Sequence, residues 1–288
     1  MNRRKQPTKT DGAPRLVIHP DADAFLSLHR DLLEQDPVTN NLMLGLLGKI
    51  KGRPFGENEL VWTIHLDDDI LVLMIAGLYV ILCATANREA LYEKAVVELH
   101  DRGVRYPGVI GLKESALMFK ACHERMTGKP MTLGMDQRIY RTETSVYSPV
   151  EGARLELADE KDIPGLVPWM VEFVKVAGDH ATPEQAKDRL SEKIREGKLH
   201  LLKIGSDIVS MAAWERPFGD IVTVSYVFTP RDLRKRGYAS ACVGMLTEKL
   251  LGTYRIVTLY TDLSNPVSNS IYQKIGFRPV ADSVVYLI

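Results

Sequence analysis

The sequence has few cysteines and no excess of either charge. Only three of its 288 residues are cysteines, and these are widely spaced and form no Cys-x-x-Cys pair. An odd, scattered set argues against a disulfide framework and fits a reducing compartment, so we predict a cytoplasmic location. Lys plus Arg and Asp plus Glu both number 37. The chain therefore lacks the basic excess typical of nucleic-acid-binding proteins, and we expect no nucleic-acid partner.

The common metal and nucleotide motifs are also missing. His123-Glu124 is not followed by the second histidine of a zinc-binding helix, so no metal site is expected. The basic segment 231–236 contains neither a Gly-Lys-Ser/Thr phosphate loop nor a Gly-x-Gly-x-x-Gly turn. The sequence therefore gives no support to a P-loop nucleotidase or a dinucleotide-binding oxidoreductase.

One apolar segment is too short to cross a bilayer comfortably. Residues 70–84 carry no charge, but a spanning helix needs about 20 such residues. Gly77 lies in the middle, and the β-branched residues around it favour two buried strands, or one strand leading into a second element, with a membrane span as the less favoured alternative. Residues 1–14 are basic and polar and are predicted to be a disordered tail rather than a signal peptide.

The length allows two domains of about 140 residues each. Residues 143–152 are rich in Thr, Ser, Pro and Gly and have no sustained hydrophobic period, so they are the predicted linker. This linker would separate an N-terminal domain at residues 15–142 from a C-terminal domain at residues 153–288. Both halves show a similar β-α-α-β-β-α-β order of predicted elements, which suggests a duplication.

Hydrophobic periodicity gives the approximate positions of the elements. Strands are predicted at 15–18, 59–66, twice within 70–84, and at 131–141, 154–157, 199–204, 208–214, 221–228, 256–261 and 280–288. Helices are predicted at 21–34, 41–51, 88–102, 113–126 and 162–176, after Thr182-Pro183, from Arg236 or Gly237 to Gly252, and at 266–275.

A basic turn connects the strand at 221–228 to the helix that follows it. Gly237 and Ala239 leave the main-chain N–H groups at the start of this helix unshielded. A helix start presents unpaired N–H donors and a partial positive charge, which together suit a pyrophosphate. Additional positive charge comes from Arg231, Arg234, Lys235 and Arg236. Taken alone, the segment fits a solvated basic turn equally well.

A second segment presents an unusual polar face beside a core-facing stripe. Asn265-Pro266 is typical of a helix start, and Gly276 is typical of a helix end. Asn265, Asn269 and Tyr272 follow each other at i, i+4 and i+7 and therefore share one face. Structural roles, capping for Asn265 and packing for Tyr272, are the alternatives.

These two motifs, in this order, resemble those of the GNAT superfamily of acyl-CoA N-acyltransferases over about residues 154–288. The first is Arg234-x-x-Gly237-x-Ala239 after a strand, and the second runs from Asn265 to Tyr272-x-x-x-Gly276-Phe277. The layout is similar to tandem GNAT proteins with a degenerate N-terminal half, because that half lacks the first motif. The C-terminal domain also resembles the glycine N-acyltransferase group. The resemblance implies an α/β (α+β) fold of two tandem GNAT-like domains, each a mixed, mainly antiparallel sheet flanked by helices.

The resemblance further implies acetyl-CoA as the acyl donor and direct attack on its thioester by an amine of a small molecule or peptide. The pantetheine arm would lie between strands 221–228 and 256–261, and Tyr272 would protonate the leaving thiolate. The implied donor-binding residues are Tyr226, Val227, Phe228, Arg234, Lys235, Arg236, Gly237, Tyr238, Ala239, Ser240, Asn265 and Asn269.

The sequence offers several candidates for the general base. Many family members carry a carboxylate on the strand before the phosphate loop, where this chain has Thr223 and Ser225. Glu215, one strand earlier, is the candidate base, and a water chain, His180 or His200 are the alternatives. The missing carboxylate leaves a second function open, a non-catalytic CoA or acyl-CoA sensor. A monomer or homodimer without a membrane partner is expected.

Overall fold

The computed structural model describes residues 12–176 and 180–288, so most of the predicted tail lies outside the described residues. In chain order the first half forms β1 (Arg15–His19), α1 (Ala22–Glu34), α2 (Asn41–Ile50), β2 (Glu59–Leu66), β3 (Asp69–Ala76), β4 (Val80–Ala84), α3 (Glu89–Asp101), β5 (Gly108–Leu112), α4 (Lys113–Thr127) and β6 (Thr132–Thr142). The second half forms β7 (Ala153–Leu157), α5 (Ile163–Val176), α6 (Pro183–Arg195), β8 (Leu199–Ile204), β9 (Asp207–Phe218), β10 (Ile221–Phe228), α7 (Tyr238–Leu251), β11 (Ile256–Asp262), α8 (Pro266–Ile275) and β12 (Arg278–Leu287). The two halves therefore repeat one order of elements, and β5 is the strand that the sequence patterns did not predict.

The described residues divide into two compact units that are not contiguous in sequence. The first contains residues 12–31, Ile50–Leu133 and Val284–Ile288, and the second contains Leu32–Lys49 and Gly134–Ser283. These units do not coincide with the predicted stretches 15–142 and 153–288. In the second unit β6 pairs with β11, from Thr142↔Val257 to Gln137↔Asp262, so this strand groups with elements that follow the predicted linker. A linker at residues 143–152 that separates two duplicated halves of the chain stays a prediction.

The first unit contains a sheet in the order β1-β2-β3-β4-β5, antiparallel except for the parallel pair β4–β5. The apolar segment 70–84 forms the antiparallel strands β3 and β4, with a turn at Gly77 where φ is 128°. Helices α3 and α4 cover one face through Leu91, Leu99 and Phe119. Within the described residues, no helix combines the length and the apolar character that a bilayer crossing requires.

The second unit contains a sheet in the order β6-β11-β10-β9-β8-β7, in which only β10 and β11 are parallel to each other. Side chains alternate between its faces, because successive strand residues point to opposite sides. Ala212 of β9 packs in the cluster with α7 and α8, whereas Met211 and Ala213 pack in the cluster with α5 and α6. The predicted mixed, mainly antiparallel sheet flanked by helices is confirmed.

His200 of β8 is a core residue of the second unit and has an exposed fraction of 1%. Its Nδ1 lies 3.3 Å from the carbonyl oxygen of Lys198, and its Nε2 is buried without a partner among the described residues. Burial, with a smaller contribution from the cationic Lys249, lowers the pKa of His200 to about 4. The imidazole is therefore neutral near pH 7, as expected for a packed histidine.

We expect the His200 imidazole to make the second unit less stable in acid. An unfolded histidine takes up a proton near pH 6.5, whereas folded His200 does so only near pH 4. The contribution of His200 to the free energy of unfolding is fully present above pH 6.5 and is lost as the pH falls from 6.5 toward 4. At about 1.36 kcal/mol per pKa unit, the loss is about 3 kcal/mol. Urea unfolding at several pH values should show a shallower acid loss for His200→Leu. The exposed His100 provides the control, and an equally shallow loss in His100→Leu would contradict the assignment.

Candidate functional site

Strands β10 and β11 pair over only part of their length. Their parallel register runs from Ile221↔Ile256 to Val224↔Leu259, while β10 continues to Phe228 and β11 to Asp262. The strands therefore separate beyond Val224 and Leu259. An extended ligand can enter such a gap and bond to main-chain groups as an added strand does.

A β-bulge lies in β10 at the start of this gap. The register with β9 passes from Ser225↔Ala213 to Phe228↔Met211, so Tyr226 and Val227 both oppose Ala212. Tyr226 has a φ of 52°, in the left-handed region that residues other than glycine rarely adopt. Such a bulge takes main-chain groups out of the regular pairing with β9, and it lies where the donor-binding segment was predicted. Strained positions of this kind are concentrated at functional sites.

The loop after β10 ends in a helix start that no side chain caps. Lys235 and Gly237 have φ values of 64° and 82°, and α7 begins at Tyr238 without a side-chain hydrogen bond to its first turn. The first helical bond is from the Ala241 N–H to the Gly237 carbonyl, at 2.9 Å. The N–H groups of the first turn have no acceptor within the helix. The geometry suits a bound anion such as a pyrophosphate.

The arginines of this loop mainly brace it. The Nε of Arg234 donates to the Thr229 carbonyl at 2.9 Å, and an Nη of Arg236 donates to the Asp232 carbonyl at 3.2 Å. The Nε of Arg231 bonds to the Glu172 carboxylate at 2.8 Å. Three of the predicted basic residues thus bond within the protein, and all four of them, Lys235 included, are exposed.

A cavity of about 570 Å³ adjoins this loop on the β9 side. Trp169 of α5, Asp207 at the start of β9, and Arg236 and Tyr238 are among its lining residues. Arg236 and Tyr238 thus place this cavity directly beside the start of α7.

The two asparagines of α8 have structural partners. Asn265 caps the helix by accepting a bond from the Ser268 N–H at 3.1 Å. The amide nitrogen of Asn269 donates to the carbonyls of Asp262 and Asn265 at 3.0 and 2.8 Å, and its oxygen accepts from the Tyr140 hydroxyl at 3.0 Å. The structure accounts for this polar face by bonds within the protein, and contact with a donor arm stays a prediction.

Tyr272 is buried on the face of the sheet that α7 and α8 cover. It is 8% exposed and belongs to the apolar cluster that contains Val224, Leu259 and the partly buried Val227. Its ring makes an edge contact with Phe277 at 6.2 Å. Burial raises the pKa of Tyr272 to about 12, although a hydrogen bond with Ser268 acts in the opposite direction.

Glu215 lies on the opposite face and is paired with a buried lysine. The Nζ of Lys193 on α6 is 2.6 Å from Oε1 of Glu215, and the Lys193 side chain is 4% exposed. Burial opposes the charge of Lys193, but the Glu215 carboxylate outweighs it and raises the lysine pKa. Tyr226 is close by, with its ring centre 5.8 Å from the Lys193 Nζ and stacked on Phe173 at 5.3 Å. Burial also raises the pKa of Tyr226.

The same face has a polar network that sequence reasoning missed. The hydroxyl of Thr223 lies 2.9 Å from that of Thr258 and donates to the Asn41 side chain at 3.2 Å. The Asn41 amide in turn donates to the Tyr260 hydroxyl at 3.1 Å. Ser225, by contrast, has a buried hydroxyl without a hydrogen-bond partner among the described residues. No local pattern could have shown this network, because Asn41 precedes Thr223 by 182 positions.

The overall fold has counterparts among solved structures. A tandem GNAT protein from the clavulanic acid biosynthesis pathway, 13% identical, superposes with a TM-score of 0.60 over 96% of this chain and 98% of that chain. The chain has the tandem GNAT fold. A GCN5-related N-acetyltransferase from Sphaerobacter thermophilus, 14% identical, gives a TM-score of 0.61 over 94% of both chains. A GNAT-family acetyltransferase from Colwellia psychrerythraea, 10% identical, gives 0.57 over 95% and 98%.

Sequence comparison gives a match that is confined to the second half. The family described as FR47-like protein matches residues 204–286, which contain the β10–β11 gap, the loop before α7 and the whole of α8. No curated protein sequence matches the chain significantly. The GNAT resemblance seen in the two motifs is thus confirmed at the level of the fold.

In the first unit, the start of the helix α3 after β4 differs from the start of α7 after β10. Only residues 85–88 separate β4 from α3, and an Nη of Arg88 bonds to Asp67 at 2.9 Å and to Asp69 at 3.2 Å. Two carboxylates beside the start of α3 disfavour a bound pyrophosphate, because like charges repel. This observation agrees with the predicted degeneration of the N-terminal half.

Two further observations concern metal-binding groups and cysteines in the described part of the chain. Within residues 12–176 and 180–288, no group of three or more His, Cys, Asp or Glu side chains is placed to hold a metal ion. Cys83, Cys122 and Cys242 form no disulfide within the described residues. Burial raises the pKa of Cys242 to about 12, so this cysteine is a packing residue rather than a nucleophile.

Proposed function

We propose that this protein is an acetyl-CoA-dependent N-acetyltransferase that acts on a primary amine of a small molecule or peptide. The observation that carries the proposal is the combination, in one unit, of the gap beyond Val224 and Leu259, the bulge at Tyr226 and the uncapped start of α7. A thioester donor with a pyrophosphate needs these features in this order along β10 and its following loop. Cytoplasmic location and a monomeric or homodimeric state stay predictions.

In this proposal the pantetheine arm lies between β10 and β11, and the pyrophosphate rests against the start of α7. Gly237 and Lys235 supply the left-handed conformations that turn the amides of residues 238–240 toward the anion. The donor-binding set is the one that the sequence motifs predict: Tyr226, Val227, Phe228, Arg234, Lys235, Arg236, Gly237, Tyr238, Ala239, Ser240, Asn265 and Asn269. Arg234 and Arg236 act in it through the loop that they brace, and Asn265 and Asn269 through the helix start that they order.

The reaction is a direct attack of the neutral amine on the thioester carbon. The C–N bond forms, and the carbonyl oxygen takes up negative charge that the Val227 N–H stabilises in the tetrahedral intermediate. The C–S bond then breaks, and Tyr272 gives its proton to the leaving thiolate. The amine gives up a proton to the base, and the Tyr272 phenol regains one from solvent.

Glu215 is the proposed base, acting through the carboxylate oxygen that Lys193 does not bind. An alkyl ammonium has a pKa of about 10.4 and must lose a proton before it attacks. The ion pair with Lys193, at 2.6 Å, holds the carboxylate in place. A water molecule between the amine and Glu215 is the alternative.

A non-catalytic sensor of CoA or acyl-CoA is the second candidate. The observation in its favour is that Glu215 is already neutralised by the buried Lys193, while Thr223 replaces the carboxylate that many GNAT enzymes carry on this strand. A sensor needs the donor site but has no use for a base.

Thiol release separates these two candidates. Purified protein with acetyl-CoA and a panel of primary amines is expected to release CoA thiol in an amine-dependent manner, with a no-amine reaction as the control. Acetyl-CoA would raise the melting temperature of an enzyme and of a sensor alike, because the ligand binds the native state, but a sensor would release no thiol with any amine. A melting temperature unaffected by acetyl-CoA would contradict both candidates.

A further inference from the structure

Arg216 is held in a strained main-chain conformation by a second bulge in the β9–β10 pair. The register passes from Ile221↔Phe218 to Thr223↔Glu215, so Arg216 and Pro217 both oppose Val222. Arg216 has a φ of 53°, which is uncommon for a residue with a side chain. A bulge at this position redirects the arginine side chain from its place in the regular alternation.

The redirected side chain lies over Tyr260 of β11. The guanidinium carbon is 5.1 Å from the centre of the Tyr260 ring, a distance typical of a cation–π contact. Val257 and Leu259 pack on the face with α7 and α8, so Tyr260 and Arg216 lie on the other face, which also carries Glu215. A methyl group at Gly45 of α2 would overlap the Arg216 side chain, so this helix packs directly against the arginine and helps to fix it.

Arg216 has no counter-ion in the part of the chain that the structure describes. It forms no ion pair or hydrogen bond there, and its Nε is buried without a partner. Two other cations of the second unit behave differently: Lys193 pairs with Glu215, and Arg255 pairs with Asp220 at 2.5 Å. Buried donors in native structures are almost always bonded, so one that lacks a partner calls for an explanation.

The position of Arg216 connects it to the mouth of the gap. Tyr260 is the first residue of β11 beyond the last pair with β10, and Ser225 is the first residue of β10 beyond it. The buried hydroxyl of Ser225 also lacks a partner among the described residues. Two unsatisfied polar groups thus lie on the face from which an amine would approach the thioester.

We propose that Arg216 binds a carboxylate or phosphate group of the acceptor, so that the acceptor is an amine that carries an anionic group. This inference rests on the proposed N-acetyltransferase function and narrows its substrate class. The Nε and one Nη of a guanidinium form a fork that matches two oxygens of such a group. Lys193 and Glu215 compensate each other in charge, which leaves Arg216 as the unpaired cation of this face.

Matched pairs of amines test the inference. Each pair contains an anionic amine and a neutral analogue: β-alanine with β-alaninamide, γ-aminobutyrate with its amide, and phosphoethanolamine with ethanolamine. The wild-type protein is expected to show a kcat/KM about 10–100-fold higher for the anionic member, the factor that corresponds to one hydrogen bond to a charged group. The carboxylate and phosphate pairs show which anion is preferred.

Arg216→Gln is expected to abolish this preference mainly through KM, while kcat/KM for the neutral analogues and the KM for acetyl-CoA stay unchanged. Arg216→Lys should be intermediate, because it keeps the charge but loses the fork. Arg255→Gln is the matched control and should leave the preference intact, since Arg255 is exposed and already paired. A purely structural role for Arg216 would instead lower turnover of both members of each pair.

Two outcomes would overturn the assignment of Arg216 while leaving the acetyltransferase intact. One is equal kcat/KM for the anionic and neutral amines in the wild type, and the other is an unchanged preference in Arg216→Gln. If no amine is acetylated, the proposed function fails. The role of Arg216 is then tested separately, by calorimetry of γ-aminobutyrate binding to the CoA complex. Weaker binding in Arg216→Gln would support its role, and equal binding would reject it.

Discussion

Replacement of Tyr272 by Phe is expected to lower kcat by about 10²–10⁴-fold, the usual contribution of a positioned general acid. The expected cause is that the thiolate would leave without a proton donor. Phe keeps the ring that packs against Phe277 and within the apolar cluster around Val224. Binding of acetyl-CoA should therefore change little. Steady-state kinetics with saturating amine, together with calorimetric CoA binding, measures both quantities.

The pH dependence follows from the raised pKa of the phenol. Because the pKa of Tyr272 is about 12 when folded and 10.0 in an unperturbed tyrosine, the acid stays protonated throughout the range in which an amine becomes neutral. Rate loss from deprotonation of Tyr272 is thus expected only close to pH 12. The stability linked to this shift is present below pH 10 and is lost as the pH rises toward 12, since the unfolded chain releases its proton first.

Tyr92→Phe provides a matched control for Tyr272→Phe. Tyr92 is fully buried in the first GNAT unit, and burial raises its pKa to about 12 as well. This variant should leave kcat unchanged, so a loss confined to Tyr272→Phe would not be a general effect of removing a buried hydroxyl. Unchanged kcat in Tyr272→Phe would exclude the tyrosine from the reaction, and an equal loss of CoA affinity would make it a packing residue.

The parts of the fold that could be predicted are those that short segments specify. Thr182 forms the predicted cap of α6, accepting a bond from the Gln185 N–H at 3.2 Å, because a threonine before proline favours a helix start in any context. The helix α8 has the bounds predicted from Asn265-Pro266 and Gly276. These residues act within one turn of the helix, so no distant partner is needed to predict them.

Other parts depend on partners that are distant in sequence. β5 is five residues long and contains two glycines, so its pattern is too short to separate it from a loop. Spacing along α8 could not show that Tyr272 is buried in the apolar cluster with Ile275, or that Asn269 bonds to Tyr140 of β6. The left-handed conformations of Tyr226 and Arg216 come from strand register, which neither residue type indicates.

Replacement of Gly237 by Val is expected to weaken acetyl-CoA binding by about 10²–10³-fold. At its φ of 82° a side chain costs about 1–2 kcal/mol, and a β-branched one is especially unfavourable. A Cβ would meet nothing closer than Val150 at 3.7 Å, so the effect comes from main-chain strain and not from overlap. Relaxation to a negative φ would turn the first amides of α7 away from the pyrophosphate. The hydrogen bonds lost in this way are to a charged group, and each is worth about 1.5–3 kcal/mol.

Gly48→Val is the control for this substitution. Gly48 lies in α2, where an added Cβ would have nothing within 4 Å, and its φ is not left-handed, so the variant should bind acetyl-CoA as the wild type does. Calorimetry gives the Kd of each protein, and urea unfolding gives the accompanying change in stability. Since strain at Gly237 acts on the loop whether or not a ligand is present, a loss of stability alone does not identify the donor site. Only a loss of affinity for acetyl-CoA identifies the donor site. A Gly237→Val protein that is folded and binds acetyl-CoA normally would place the pyrophosphate somewhere other than the start of α7.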